Sequence, residues 1–220
     1  MDLLKYRYSV GSRRTSYSYT DQARHDYYFA RSDIRNQEEL LQRLTETETN
    51  IDSYFYSSET IRPFDVPFGS SIKMAKLILG KPTYKLESSK IPNHVVIYYK
   101  KRVDSIPYLL QLHYIDDELV YAMNNISENM SLTKNHLIEM TRLHLHKYTQ
   151  NLQEEIDTIH ISIVDSKENR ITVSDSLGFN IRYSNGSALI KAQVNELMEQ
   201  NAHQSIKEKL LKKTAMLNFL

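Results

Sequence analysis

The segment 69–82, GSSIKMAKLILGKP, constrains the fold most, because it carries signals for both ends of one short helix. Ser70 or Ser71 can accept a backbone N–H bond at the helix start. Gly80 suits the left-handed conformation that ends many helices, and Pro82 prevents the helix from continuing. The segment therefore predicts a short amphipathic helix that packs on a core by one face. Its apolar face consists of Ile72, Ala75 and Leu79.

Several runs with β-strand character follow this helix. TYKLE, HVVIYYKK and YLLQLHYI come first, and the pair Asp116-Asp117 makes a turn into ELVYAMNNI. The run 94–99 is apolar on both sides, which is typical of a central strand covered on both faces. Later, TIHISIV and RITVS predict a hairpin, and GFNIRYS predicts one more strand. These runs indicate a mainly antiparallel sheet.

Helical patterns surround the predicted strands. They cover residues 33–48, where the helix is acidic, residues 131–152, and a long C-terminal stretch that begins near Asn185. The predicted class is α+β, with a mainly antiparallel sheet or sheets packed against several helices. We divide the chain into a Tyr-rich N-terminal region, 1–66, with a hairpin and the acidic helix, and an α+β domain, 67–220. The predicted order in that domain is helix, three strands, helix, β-hairpin and long C-terminal helix.

The N-terminal stretch KYRYSVGSRRTSYSYT has tyrosines at every other position on both sides of VGSRRT, a pattern that predicts a hairpin. Tyrosines pack well on a pleated sheet, so they can be structural. Alternatively, aromatic and basic side chains together can form a surface for a protein or a single-stranded nucleic acid. The candidate partner-binding residues are Tyr6, Tyr8, Arg13, Arg14, Tyr17 and Tyr19.

The sequence offers little reactive chemistry. The 220 residues contain no cysteine, which excludes disulfides, thiol catalysis and Cys-ligated zinc. A phosphate-binding glycine loop, a G-x-S-x-G turn and an H-E-x-x-H motif are also missing. His144 and His146 lie two apart on a predicted helix, about 200° from each other, and cannot share one ion. We therefore expect no cofactor and no metal, and the chain is not expected to be an enzyme, although a scattered active site stays open.

Two further histidines are candidates for contacts in a groove. His113 and His160 each fall on the less apolar face of a predicted strand. If those faces line one groove, the two side chains can contact a ligand there. The alternative is that both are ordinary solvent-facing histidines on a sheet.

The net charge and the search for targeting signals limit the partners and the cellular compartment that we expect. The net charge of +1 gives no overall bias toward nucleic acid or an anionic membrane. The first ten residues do not resemble a secretory signal, and no apolar run approaches the length of a membrane span, so we expect a cytoplasmic protein. The basic, amphipathic stretch 205–220 can lie on a membrane surface, bind in a partner's groove, close the core or join a homo-oligomer.

Residues 69–126 combine a Gly-Ser helix start, a Leu-Gly-x-Pro stop and three antiparallel strands. This order resembles the BamE/SmpA family, whose small helix-plus-sheet module is similar in shape to β-lactamase-inhibitor-like domains. The resemblance implies a non-catalytic module that binds other proteins. Members in the outer membrane carry a lipidated cysteine that this chain lacks, so their role in assembly is not implied. The residues that match the pattern are Gly69, Ser70, Leu79, Gly80 and Pro82.

Together these observations predict a non-catalytic protein-binding module in the cytoplasm: an adaptor, a chaperone or an assembly component. A protein partner or a homo-oligomer is expected. One alternative is a nucleic-acid binder that uses the N-terminal tyrosines and arginines. The other is a small-ligand-binding protein or enzyme with an unrecognised site.

Overall fold

The computed structural model describes residues 13–45, 51–103, 106–126, 133–148, 160–174 and 179–187, and helical backbone at five positions between 196 and 207. The chain divides into a compact unit of residues 1–32 and a second unit of residues 33–220. No helix in these described ranges is both long and apolar enough to cross a membrane.

The first unit contains helix α1, Arg13–Phe29. Its backbone is helical at Tyr17 and Tyr19, so the predicted second strand of an N-terminal hairpin is wrong. This range contains no glycine or proline to interrupt a helix, and Gln22 Nε2 donates to Asp26 Oδ1 at 2.7 Å across one helical turn. A hairpin alone would be marginally stable in water, and two tyrosines at alternate positions are a weak strand signal.

The second unit is built on one sheet of eight strands. The strands are β1 Ser53–Ser57, β2 Tyr84–Glu87, β3 His94–Val103, β4 Ile106–Ile115, β5 Glu118–Ile126, β6 Ile161–Asp165, β7 Arg170–Ser174 and β8 Asn180–Ser184. Their spatial order is β1-β6-β7-β8-β5-β4-β3-β2. All neighbours pair antiparallel except β1 and β6, which are parallel. The α+β class and the mainly antiparallel sheet are thus confirmed.

Three helices with described bounds belong to this unit, and two 3₁₀ turns accompany them. They are α2 Gln37–Thr45, α3 Ile72–Leu79, α4 Lys134–Leu145 and the 3₁₀ turns Pro63–Asp65 and His146–Tyr148. The helix predicted over 131–152 is therefore shorter in its described part, where α4 passes into a 3₁₀ turn. The predicted long C-terminal helix lies mostly outside the described residues.

The four runs predicted as strands after α3, from TYKLE to ELVYAMNNI, form β2 to β5, one more than the three strands in the predicted domain order. The short run TYKLE forms β2, which pairs with β3 at one edge of the sheet. β4 and β5 are joined by a two-residue turn in which Asp116 and Asp117 both have positive φ, 50° and 64°. Such a turn matches the twist of the two strands it connects.

Both faces of the sheet are covered in its middle. On the first face, α3 and α4 contribute Ala75 and Leu145 to a large apolar core with residues such as Ile97 and Leu112. On the second face, Ile34 and the α2 residues Leu40 and Leu44 form a smaller apolar cluster. This second cluster also contains Ile91, Ile115, Val120, Tyr121 and Met123.

Candidate functional site

Helix α3 is held at both ends by residues that the sequence predicted, and Asp117 adds a contact that it did not. Ser71 caps the start by accepting from the Met74 N–H at 3.4 Å. Asp117 Oδ1 accepts from the Ile72 N–H at 3.0 Å and so satisfies a second free donor at that end. Gly80 ends the helix at φ 84°. The predicted short helix is confirmed.

The side chains of α3 divide sharply between core and solvent. Ala75 is completely buried, and Ile72 and Leu79 pack against the first core, as the sequence predicted. The opposite side is apolar too. Leu77 is 80 % exposed, and Met74 and Ile78 are 42 % and 41 % exposed. We call Met74, Leu77 and Ile78 the apolar ridge.

Exposed basic residues are concentrated on α3 and in the strands that follow it. Between positions 72 and 103 the chain has eight basic residues and a single acid, Glu87. All eight are solvent-exposed. Lys73 and Lys76 lie on α3, Lys81 follows it, and Lys85 and Lys101 lie on the α3 face of β2 and β3; we call these five the basic surface. Lys100 and Arg102 lie on the other face of β3, and Lys90 lies in the loop before β3. This concentration is large for a chain whose net charge is +1.

The only acid in this range is paired with one of the lysines. Lys85 Nζ donates to Glu87 Oε1 at 2.6 Å. The Lys85 hydrogen bond and charge lower the pKa of Glu87, so the carboxylate stays ionised at neutral pH. An exposed pair of this kind leaves the positive field of the other seven side chains largely intact.

The end of α3 opens into a cleft of about 540 Å³, lined by lysines and by Tyr84. Lys101 Nζ donates to the Leu79 carbonyl at 3.1 Å, where a positive charge complements the C-terminal end of the helix. The Tyr99 hydroxyl donates to the Gly80 carbonyl at 3.3 Å. These contacts fix α3 to β3, so the apolar ridge and the cleft form one surface. The lysines that line the cleft are Lys76, Lys81 and Lys85.

A polar network is buried on the second face of the sheet. The Tyr121 hydroxyl donates to Asp33 Oδ2, and Arg43 Nε lies 3.1 Å from the same oxygen. Arg182 Nε is 3.9 Å from it. Burial and then the Asp33 charge raise the pKa of Tyr121 well above its usual value. The network joins the segment before α2 to β5 and β8, and its groups bind one another, so its role is structural.

Next to this network lies a buried histidine pair. His94 Nε2 and His113 Nδ1 are 3.1 Å apart with the rings stacked, and Tyr121 contacts His113 edge-on. Burial lowers the pKa of His94 to about 4. Burial, and then the charge of His94, lower the pKa of His113 well below its usual value. Both rings are therefore neutral at pH 7.

A second cleft, of about 380 Å³, lies beside the 3₁₀ turn Pro63–Asp65. Two of its charges pair with each other, since Lys147 Nζ donates to Asp65 Oδ1 at 2.7 Å. Tyr148 donates its hydroxyl to the Arg62 carbonyl at 2.9 Å and accepts from the Arg62 N–H. Behind the cleft, burial and then the charge of Lys147 lower the pKa of His144 to about 4. These contacts hold the 3₁₀ turn Pro63–Asp65 against the turn His146–Tyr148.

The predicted histidines do not line one groove. His113 is completely buried within β4, and His160 is half-buried just before β6. β5, β8 and β7 separate these two strands in the sheet. Among the residues that the structure describes, no group of three or more metal-binding side chains occurs.

The predicted N-terminal surface is only partly within the described residues. Tyr6 and Tyr8 lie outside them, as does most of the C-terminal stretch 205–220. The other four candidates belong to α1, of which the structure describes only the backbone at these positions. These four are Arg13, Arg14, Tyr17 and Tyr19.

Comparison of the chain with protein-family models, curated proteins and solved structures finds no match. The resemblance of residues 69–126 to the BamE/SmpA module thus stays a prediction.

The net charge of the whole chain does not reveal the basic surface. A net charge of +1 averages eight basic residues and one acid between 72 and 103 with an acidic remainder. A charge count in a moving window would reveal the excess. The exposure of Leu77 is harder to predict, because the sequence places Ile72, Ala75 and Leu79 on the core side of α3 but does not show whether another element covers the opposite side.

Proposed function

We propose that this chain is a non-catalytic protein-binding module of the cytoplasm, an adaptor, chaperone or assembly component, which binds an acidic, amphipathic segment of a partner. The observation that carries this proposal is the apolar ridge of α3 together with the exposed lysines beside it. Apolar patches with a polar rim are typical of protein-interaction sites. Methionine is enriched at the centre of interfaces, and charge complementarity adds specificity and speed of association.

The apolar ridge favours a protein over a nucleic acid. Phosphate contacts require only cations, and bases stack on aromatic rings. The centre of this surface is aliphatic instead, with Leu77 as its most exposed side chain. Leu77 can be buried by apolar side chains of a partner helix, while acidic residues on the same helix contact Lys76 and Lys81.

The proposal is tested by fluorescence anisotropy with a labelled, glutamate-rich helical peptide whose leucines repeat at i, i+3 and i+4. We expect Leu77→Ser to weaken binding by about tenfold or more, the effect of losing a central interface contact. Lys76→Glu combined with Lys81→Glu should weaken it at least as much, because like charges then face each other. Leu77 is too exposed for its replacement to change the fold.

The matched control is Lys167→Glu, which reverses an exposed lysine in the turn between β6 and β7. It should leave the affinity for the peptide unchanged. The same variants are titrated with a single-stranded oligonucleotide and with anionic vesicles. Binding of either, with no response of peptide binding to Leu77→Ser, would contradict a protein partner at this site.

A further inference from the structure

Strand β1 forms one edge of the sheet. Among the described residues its only strand neighbour is β6. Its sequence, Ser-Tyr-Phe-Tyr-Ser, contains no charge, no proline and no glycine. Natural sheets commonly protect edges with lysine, proline or a bulge, because an open edge is a template for another strand. β1 has none of these devices.

The backbone of β1 shows which groups point away from β6. The His160 carbonyl oxygen accepts two hydrogen bonds from the start of β1. One comes from the Asp52 N–H at 2.9 Å and the other from the Ser53 N–H at 3.4 Å. In the register that pairs Ser53 with Ile161, the ladder bond to this oxygen is the one from Ser53, so the amide groups of Phe55 and Ser57 point to β6 and those of Tyr54 and Tyr56 point to the outer edge. A strand added there would bond to these groups.

The side chains of β1 are arranged for such an addition. Tyr56 is 87 % exposed and Tyr54 is 56 % exposed, both on the second face of the sheet. Phe55 is on the first face and packs against the first core. An added strand would therefore find two tyrosines on one side and the margin of an apolar core on the other.

The sequence of β1 reads the same in both directions, and for this reason we propose that a second copy of the chain pairs with it. An antiparallel pair with its two-fold axis at Phe55 places Phe55 opposite Phe55 of the other copy. Tyr54 then faces Tyr56, and Ser53 faces Ser57. A two-fold interface requires a surface that is complementary to itself, and this strand has one.

The flanking residues agree with this register. Continuing the antiparallel pairing places Asp52 opposite Ser58 and Ile51 opposite Glu59, so no two like charges face each other. Tyrosine pairs across strands are stabilising. The new backbone bonds would join the two sheets into one. The occupant is thus another molecule of this protein, not a strand of unrelated sequence.

The dimer is tested by sedimentation velocity of the full chain across a wide range of concentrations. We expect a monomer–dimer equilibrium for the wild type. The variant Tyr54→Lys/Tyr56→Lys puts lysine opposite lysine twice, and its dissociation constant should rise by at least about tenfold. The matched variant Tyr54→Lys/Tyr56→Glu puts lysine opposite glutamate twice and should keep the dimer.

The absence of cysteine from the natural chain permits a test of register. In the proposed pair, positions 54 and 56 of different copies are a hydrogen-bonded pair with Cα atoms about 5.5 Å apart, within the range for a disulfide. A mixture of Tyr54→Cys and Tyr56→Cys proteins should form a crosslinked dimer faster than either protein alone.

Each result bears directly on the proposal. Dimerisation lost in the Lys/Lys variant and kept in the Lys/Glu variant supports it, as does crosslinking specific to the mixture. A wild-type protein that is monomeric throughout would overturn it. So would equal dimerisation of the two charge variants, or crosslinking that is the same in the mixture and in the single proteins.

Discussion

The two edge strands of the sheet, β2 and β1, differ in charge and in how far their side chains are buried. At one edge β2 carries Lys85 and Glu87 on the α3 side and buries Leu86, which is 4 % exposed. At the other edge β1 is uncharged and presents Tyr56 almost fully to solvent. The charges on β2 protect that edge against strand addition, and β1 has no charged residue to do the same. The difference suggests that a partner meets the β2 side through side chains of α3, whereas β1 meets its partner through the backbone.

The largest expected effect is on the free energy of unfolding, because one edge strand has a buried side chain and the other an exposed one. We expect Leu86→Ala to lower the free energy of unfolding by about 2–5 kcal/mol, because it removes a buried side chain and leaves a cavity. Tyr56→Ala, the matched change at the other edge, should alter it by less than about 0.5 kcal/mol. Urea unfolding of dilute protein measures both. A comparable loss in the two variants would show that Tyr56 is covered in the monomer.

A smaller effect is expected from pH, and the part of it due to His94 should appear on the β2 side. His94 begins β3, and its carbonyl accepts from the Ser88 N–H just after β2. Its pKa is about 4 when folded, against 6.5 for an ordinary histidine. Between these values the unfolded chain binds a proton that the folded chain does not. Stability contributed by the neutral ring is therefore complete above pH 6.5 and is lost as the pH falls toward 4, by roughly 3 kcal/mol at most.

This pH dependence is measured by urea unfolding at several pH values and by hydrogen exchange. His94→Asn should give a shallower loss of stability with acid, when each protein is compared with its own value at pH 8. Amides of β2 and the start of β3 should lose protection before those of β1 and β6. Equal slopes for the two proteins would mean that His94 does not couple acid to unfolding.

The smallest effect on the fold is expected from removing the charges of β2. Lys85→Tyr with Glu87→Tyr replaces one exposed ion pair by uncharged strand formers, so the melting temperature should hardly change. The edge should instead begin to self-associate, as β1 is proposed to do. Sedimentation of this variant in the Tyr54→Lys/Tyr56→Lys background isolates the new contact. If it stays monomeric, charge is not what protects β2.

Local signals in the sequence were reliable where one segment decides its own structure. Ser71, Gly80 and Pro82 define both ends of α3 without reference to the rest of the chain. The strand runs from TYKLE to ELVYAMNNI were also recognised, because their apolar patterns and the Asp116-Asp117 turn are local. The edge position of β1 and its parallel pairing with β6 were not predicted, because the paired residues lie over a hundred positions apart and no local pattern records them.

The predictions failed where a sequence pattern was short, or where the burial of a residue depends on segments far away in the sequence. Tyr17 and Tyr19 alternate as in a strand, yet the uninterrupted range from Arg13 forms a helix. His113 was assigned to the less apolar side of β4 without any sign that His94, Tyr121 and the α2 region bury that side. Whether a polar residue in a sheet is exposed depends on what packs above it, which one strand cannot show.

The bond from Ile72 N–H to Asp117 has a consequence for biosynthesis. An eight-residue helix is too short to persist by itself, and this bond joins residues 45 positions apart. The amide of Gly69 likewise bonds to the carbonyl of Leu119. A nascent chain on the ribosome can therefore complete α3 only after the β4–β5 turn has left the exit tunnel. Until then Met74, Leu77 and Ile78 belong to an unfolded, lysine-rich segment that a chaperone can bind.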